Sequence, residues 1–364
     1  MNLTSRKRQN DTSCPEYGCR FIAKRRVCYT LIAVLCVLLP LTLVFSAGLG
    51  AARIPAGDVA RILLGKLSGN EEAYRGISGG EASIVFELRL PRILCAAFTG
   101  AALAAAGVIF QAILQNPLAD PYTLGVSTGA AFGASLAIFL NMAAAMALPV
   151  PLFALVFAAL TLITVLAIAG RGTGLVRSNL IMAGIILSAI LQAGVSFIKM
   201  ASGENVGAIV YWLMGSLSGR SWSDLLLVAP ATSVALAAAF AFSRDLNLLS
   251  LGSRNAESLG VNVQRARLLY LLLGAAVTAC SVSVCGIIGF VGLVVPHLIR
   301  FSVTADNRML LPLASLSGAL LLVLADDATR LIGTGEIPVG VLTTLLGGPF
   351  FIYIFVRRGG AARE

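Results

Sequence analysis

The stretch Gly286-Ile-Ile-Gly-Phe-Val-Gly-Leu-Val-Val-Pro-His-Leu-Ile-Arg300 decides how this chain folds. It is almost wholly apolar, is punctuated by glycine, and closes on Pro296, His297 and Arg300. Apolar sequence seeded with glycine lets helix backbones approach closely in lipid, where dispersion packing replaces the hydrophobic effect between helices. Such a stretch belongs inside a helical bundle immersed in a membrane.

The remainder of the chain agrees. Of 364 residues, 58% are hydrophobic and 12% charged, and the mean hydropathy is +0.90. A soluble protein of this size needs charged, solvated faces that this composition cannot supply. Apolar runs long enough to cross a hydrocarbon core recur along almost the whole length. Ten account for it: 27–50, 90–114, 122–141, 147–169, 179–200, 225–243, 268–286, 287–301, 309–330 and 338–356. The predicted fold is therefore an all-α polytopic membrane protein of ten transmembrane helices. A basic arm (1–26) precedes the permeation domain (27–358), and a short tail (359–364) follows it.

The net charge of +10 is informative through its placement. Arg6, Lys7, Arg8, Arg20, Lys24, Arg25 and Arg26 lie just before the first apolar run, which places that end in the cytoplasm. The run is too long for a signal-peptide core and is read as an uncleaved span. Ten spans then return the C-terminus, with Arg357 and Arg358, to the cytoplasm. The arm sets topology and meets anionic headgroups of membrane lipid; it is not read as a nucleic-acid site.

Turn chemistry supports the divisions. Asn116-Pro117 and Asp120-Pro121 bracket the link between spans two and three. Around Tyr211-Trp212, a short helix is expected to rest at the outer interface. Residues 245–267 form the only substantial internal cytoplasmic segment. There Ser253 is expected to N-cap a short helix ending at Leu259, with Gly260 in a left-handed C′ position, and a second short helix to run from Asn262 into span seven. Helices this short are marginal alone in water and need a partner surface.

No catalytic constellation is visible. The chain has one histidine and no phosphate-binding loop, so nucleotide chemistry belongs to another chain. His297 is read as a buried, hydrogen-bonded histidine rather than a haem ligand. No metal-ligating cluster appears, and Cys14 and Cys19 lack the second pair that a zinc site needs. Arg89, Arg92 and Arg330 sit at outer ends of spans. They either anchor at the interface, with Arg330 paired to Asp326 or Asp327, or form a cationic rim for an acidic partner. Gln192 and Ser196 in span five and Thr343 and Thr344 in span ten either line a pathway or bridge helices.

Three blocks together are identified as those of a known family: Leu88-Arg-Leu-Pro-Arg92 through Gln115-Asn-Pro-Leu-Ala-Asp-Pro121 to Gly125-Val-Ser127; Tyr211-Trp-Leu-Met-Gly-Ser216 to Ser258-Leu-Gly-Val261; and Gly286 through Pro338-Val-Gly340 to Gly347-Gly-Pro349. They resemble the cobalamin-permease-like transmembrane subunits of binding-protein-dependent ABC importers for iron-siderophores, haem and cobalamin. The resemblance implies a multi-pass inner-membrane subunit without a cofactor of its own, working as a homodimer or with a paralogue. Two cytoplasmic ATPase subunits, which hold ATP and magnesium, would dock on Leu251, Gly252, Ala256, Leu259, Gly260 and Val261. A periplasmic binding protein would present its acidic groups to Arg89, Arg92 and Arg330. Two departures stand out. Ser253-Arg254 follows Gly252 where many relatives carry an acid, and Arg177, beside Ser178, occupies an inner-gate position where relatives carry small polar residues.

The expected cargo is an iron chelate, siderophore or haem, with cobalamin as the alternative. An ion-coupled secondary transporter and a non-transporting sensor are the rival classes.

Overall fold

The computed structural model describes residues 16–50, 52–171, 174–332 and 337–361, with side chains between residues 25 and 352 except those of 51, 71, 73, 172–173 and 333–336. Most of the basic arm, with Cys14, and the last three residues lie outside the described region.

The described residues form helices joined by turns and irregular links, with no strand among them. Helix α1 (Glu16–Gly48) is followed by the surface helix α2 (Ala56–Ser68) and the short α3 (Gly79–Ser83). A π-helical turn over Ile84–Arg89 carries α3 straight into α4 (Leu90–Ile113). Then come α5 (Val126–Ala143), α6 (Val150–Ala169), α7 (Arg177–Ala201), α8 (Val206–Leu213) and α9 (Trp222–Ala241). The short α10 (Ser243–Ser250) and α11 (Ser253–Ser258) lead to α12 (Val263–Cys285), α13 (Val291–Ser302), α14 (Asn307–Leu331) and α15 (Val339–Ala361). Among the described residues, eight helices are long and apolar enough to cross a membrane, and α13 and α15 add two shorter apolar ones. Every one of the ten expected spans corresponds to one of these helices.

Helix α4 is the axis. Every residue in it except Leu90, Leu94 and Phe98 is buried, and α9, α12, α13 and α14 pack around it. Small residues make this possible. A Cβ on Gly100 would lie 2.2 Å from the Gly318 carbonyl of α14, and one on Gly107 would lie 1.7 Å from the Gly292 carbonyl of α13. Glycine at these crossings brings backbones into direct contact, as expected where small residues replace large ones between helices in lipid.

Helix α1 begins at Glu16, inside the basic arm, and its long apolar part runs from Arg25 to Gly48. Two expectations are corrected. Ser253 is the first residue of α11 and not its cap; Gly252 (φ 108°) precedes the helix, which leaves the Ser253 hydroxyl free for tertiary bonds. Beyond Gly260 (φ 85°) the helix expected from Asn262 does run into span seven, as one continuous α12 that Asn262 caps by accepting from the Arg265 amide. Finally, the eighth span is not helical from residue 287. The glycine run 286–290 is irregular, and α13 has only 12 residues. At 1.5 Å per residue it rises about 18 Å, short of a hydrocarbon core of about 30 Å.

Candidate functional site

The irregular run is the structural centre of the site. Gly286 (φ 72°) ends α12 so close to α8 that a Cβ would lie 2.3 Å from the Trp212 carbonyl. Phe290, a non-glycine residue at φ 68°, starts α13. Non-helical backbone at membrane depth persists where its polar groups find partners or line a cavity. Both conditions are met: Gly286 N donates to Val282 O at 2.8 Å, the Tyr122 hydroxyl donates to Ile288 O, Phe290 O accepts from Val294 N at 2.8 Å, and just before the run Ser216 N donates to Cys285 O at 2.8 Å.

The run borders a cavity of about 550 Å³ with the end of α8, the start of α15 and the α4–α5 link. Its walls are apolar apart from Asp120, Tyr122 and Thr344. Asp120 accepts from Tyr122 N and Thr123 Oγ1, and burial pushes its carboxyl above the ordinary value. A second cavity of about 490 Å³ lies between α13, α14 and α15, with Thr343 in its wall. The Phe290 ring borders both.

The expected pathway residues therefore separate. Thr343 and Thr344 reach the cavities, each hydroxyl also bonded to Gly340 O on its own helix. Gln192 and Ser196 are exposed on α7 and border neither cavity. Ser178 is exposed and bonds only to neighbouring Asn179 at 3.4 Å. His297 is buried with its ring edge-on to Phe351, away from the central cavity.

At the α2 end of the bundle the three expected docking arginines do come together, in a buried cluster. Arg92 holds Asp326 through Nε (3.0 Å) and Nη2 (2.9 Å), and Arg330 Nε lies 3.3 Å from the same carboxylate. Arg330 also pairs with Asp327, whose Oδ1 accepts from Ser46 Oγ at 2.5 Å. Arg89, in the π-helical turn, donates to the carbonyls of Ala47 (2.9 Å) and Ala52 (2.5 Å). The pairing of Arg330 with its own helix is thus present, and the same carboxylates tie α1, α4 and α14 together.

At the opposite end, Leu251, Leu259 and Gly260 of the coupling segment are exposed, Gly252 and Val261 are half-buried, and Ala256 is buried and anchors α11. Two large apolar side chains presented beside Arg254, Asn255 and Glu257 give the segment an adhesive surface. Beneath it lies a polar junction. Gln115 at the end of α4, at φ 48°, donates to Leu249 O (2.7 Å) and Ser250 O (3.1 Å) of α10 and accepts from Arg177 of α7. Ser253 Oγ accepts from Arg177 (3.4 Å) and Arg267 (3.0 Å).

Sequence reasoning missed Ser46, Asp120, Tyr122, Phe290, Gln115 and Arg267 as site residues. Gln115 and Asp120 lie at the two proline turns and within a family block, and neither signal assigns their side chains a role. Nothing local in the sequence marks Ser46 or Phe290, whose roles arise from contacts with distant segments.

Comparison with known proteins agrees with this architecture. The chain is 41% identical over 276 residues to the Fe(3+) dicitrate transport system permease protein FecD of Escherichia coli, covering 75% of this chain and 85% of that one. It is 41% identical over 275 residues to the cobalamin import system permease protein BtuC of Halobacterium salinarum, covering 76% and 74%. A metal-chelate type ABC transporter solved in an inward-facing conformation superposes with a TM-score of 0.78 at 33% identity, covering 90% of this chain and 99% of that one. Subunits of this kind span the membrane, carry no cofactor, and leave ATP to a partner ATPase while a binding protein delivers the cargo. Residues 38–357 match the FecCD transport family, and the chain belongs to that family as a multi-pass permease subunit of an ABC importer.

Proposed function

We propose that this permease moves an iron chelate, siderophore or haem, intact across the bacterial inner membrane. The observation that carries the reading is the central cavity, apolar except for Asp120, Tyr122 and Thr344. A bare cation needs several oxygen, nitrogen or sulfur ligands in place of its water. Among the described residues no group of three or more His, Cys, Asp or Glu could provide them. A small oxyanion would need N–H donors or cations, and none of the polar groups in this wall is a cation. A metal already wrapped in an organic ligand needs neither. Similarity to both an iron-dicitrate permease (41%) and a hemin permease (39%) supports an iron chelate, and the 41% identity to a cobalamin permease makes cobalamin the second reading.

In this proposal both termini are cytoplasmic and the coupling segment faces two ATPase subunits. A second permease copy packs against the exposed face of α7, so that Gln192 and Ser196 join α15 along the route. The binding protein docks at the α2 end, where its carboxylates would reach Arg89, Arg92 and Arg330 only by exchange with Asp326 and Asp327. Uptake in a deletion strain tests the cargo, with labelled iron supplied as siderophore or as haem, and with labelled cobalamin. Loss of one iron uptake, restored by the gene, is the expected result. Loss of cobalamin uptake alone would replace the chelate reading, and loss of none would remove it.

A further inference from the structure

The junction under the coupling segment joins α4, α7 and α10 through one side chain, Gln115. Gln115 ends α4, the most buried helix, yet holds a left-handed backbone conformation that a non-glycine residue adopts only under constraint. Its amide supplies the constraint. The NH2 group bonds two terminal carbonyls of α10: it shares Leu249 O with the Gly252 amide and reaches Ser250 O at the open end of the helix. The amide oxygen takes the Arg177 guanidinium from the first residue of α7. The other arm of the same guanidinium reaches the Ser253 hydroxyl at the first residue of α11.

Arg177 thus stands between the segment that carries the exposed Leu251 and Leu259 and the helix that carries Gln192 and Ser196. Both acceptors of Arg177 are neutral. Arg267, which shares Ser253 with it, is a like charge that also donates to Leu175 O, two residues before α7. A guanidinium held by neutral acceptors beside a second guanidinium is retained by geometry, with little ion-pair energy to resist displacement. The two departures noted in the sequence, arginine at 177 and serine at 253, are therefore one feature: the hydroxyl accepts what the arginine donates.

Resting on the importer reading above, we propose that Gln115, Arg177 and Ser253 form a positioning linkage that passes displacement of the α10–α11 segment to the cytoplasmic end of α7. These residues touch neither cargo nor nucleotide; they act by fixing where α7 begins. An element displaced at one end can bias another only through contacts that differ between its two arrangements, and this bonded triad is the polar connection that reaches α7 itself, beside the Arg267 bonds from Ser253 to the loop at Leu175.

The test is hydrogen–deuterium exchange on the permease co-purified with its ATPase in nanodiscs, with and without ATP and vanadate. Wild-type protein is expected to change exchange both at 248–260 and at 177–184. In R177S and, separately, Q115L, the change at 248–260 should persist while that at 177–184 falls to below about a third of wild type. The R177S/Q115L double variant should lose no more than either single one, as expected for residues acting as a unit. The persisting response at 248–260 shows within each sample that the variant has folded and bound its ATPase. A wild-type-sized response at 177–184 in both variants overturns the linkage alone. Loss of both responses together also overturns it, because the triad would then serve only to build the docking surface. Absence of any nucleotide response in wild type overturns the importer reading and the linkage with it.

Discussion

The two ends of α4 solve the same problem with opposite chemistry. At the α2 end, Arg92 and Arg330 share the buried carboxylate of Asp326, and Arg330 and Ser46 converge on Asp327. At the α11 end, a half-buried arginine is held by an amide and a hydroxyl, with no carboxylate among the bonds that hold it. Charges taken out of water bind each other tightly once committed and are costly to separate. Neutral acceptors near solvent exchange readily with water. One end is a clamp that fixes α1, α4 and α14, and the other is a joint that can yield.

The largest break in this contrast is Asp326→Ala. It leaves two guanidiniums without their shared carboxylate and should cost about 3–5 kcal/mol, seen as a markedly lower unfolding midpoint and poor yield in detergent. Ser46→Ala removes two bonds to charged groups, one donated to Asp327 and one accepted from Arg330, and should cost about 1.5–3 kcal/mol by the same measurement. Arg177→Ser should cost only about 1 kcal/mol, because its acceptors regain water, while uptake falls far more than stability. A loss at Arg177 as large as that at Asp326 would erase the distinction between clamp and joint. The smallest stability effect belongs to Leu259→Ala, within about 0.5 kcal/mol for an exposed side chain. Its readout is the amount of ATPase retained on purification, which should drop.

Much of the bundle was legible from apolar run length alone, because lipid forces each spanning backbone to satisfy itself within a helix. The exception is 286–290. Its apolar composition resembles a helix, but the groups that meet it, the Tyr122 hydroxyl on Ile288 O and Gly340 packed against the Ile287 carbonyl, are distant in sequence. The arginine cluster was legible as residues and not as a network, since nothing near Arg92 in sequence announces Asp326. Gln115 was legible as part of a family block, whereas its role depends on α10 ending within reach of its amide. Periodicity and charge placement report what a segment is; they are silent on which remote segment completes it.

The glycine crossings at Gly100 and Gly107 have a mechanical consequence. With carbonyls of α13 and α14 seated where a Cβ would stand, α4 has no clearance in which to slide or turn against them. These three helices make a stator. Any cycle that opens the central cavity first to one side and then to the other must be run by rotor elements around it. In the proposed importer those elements are α15, which faces α13 and α14 across the second cavity, and α7, whose exposed face is where the second copy is proposed to pack.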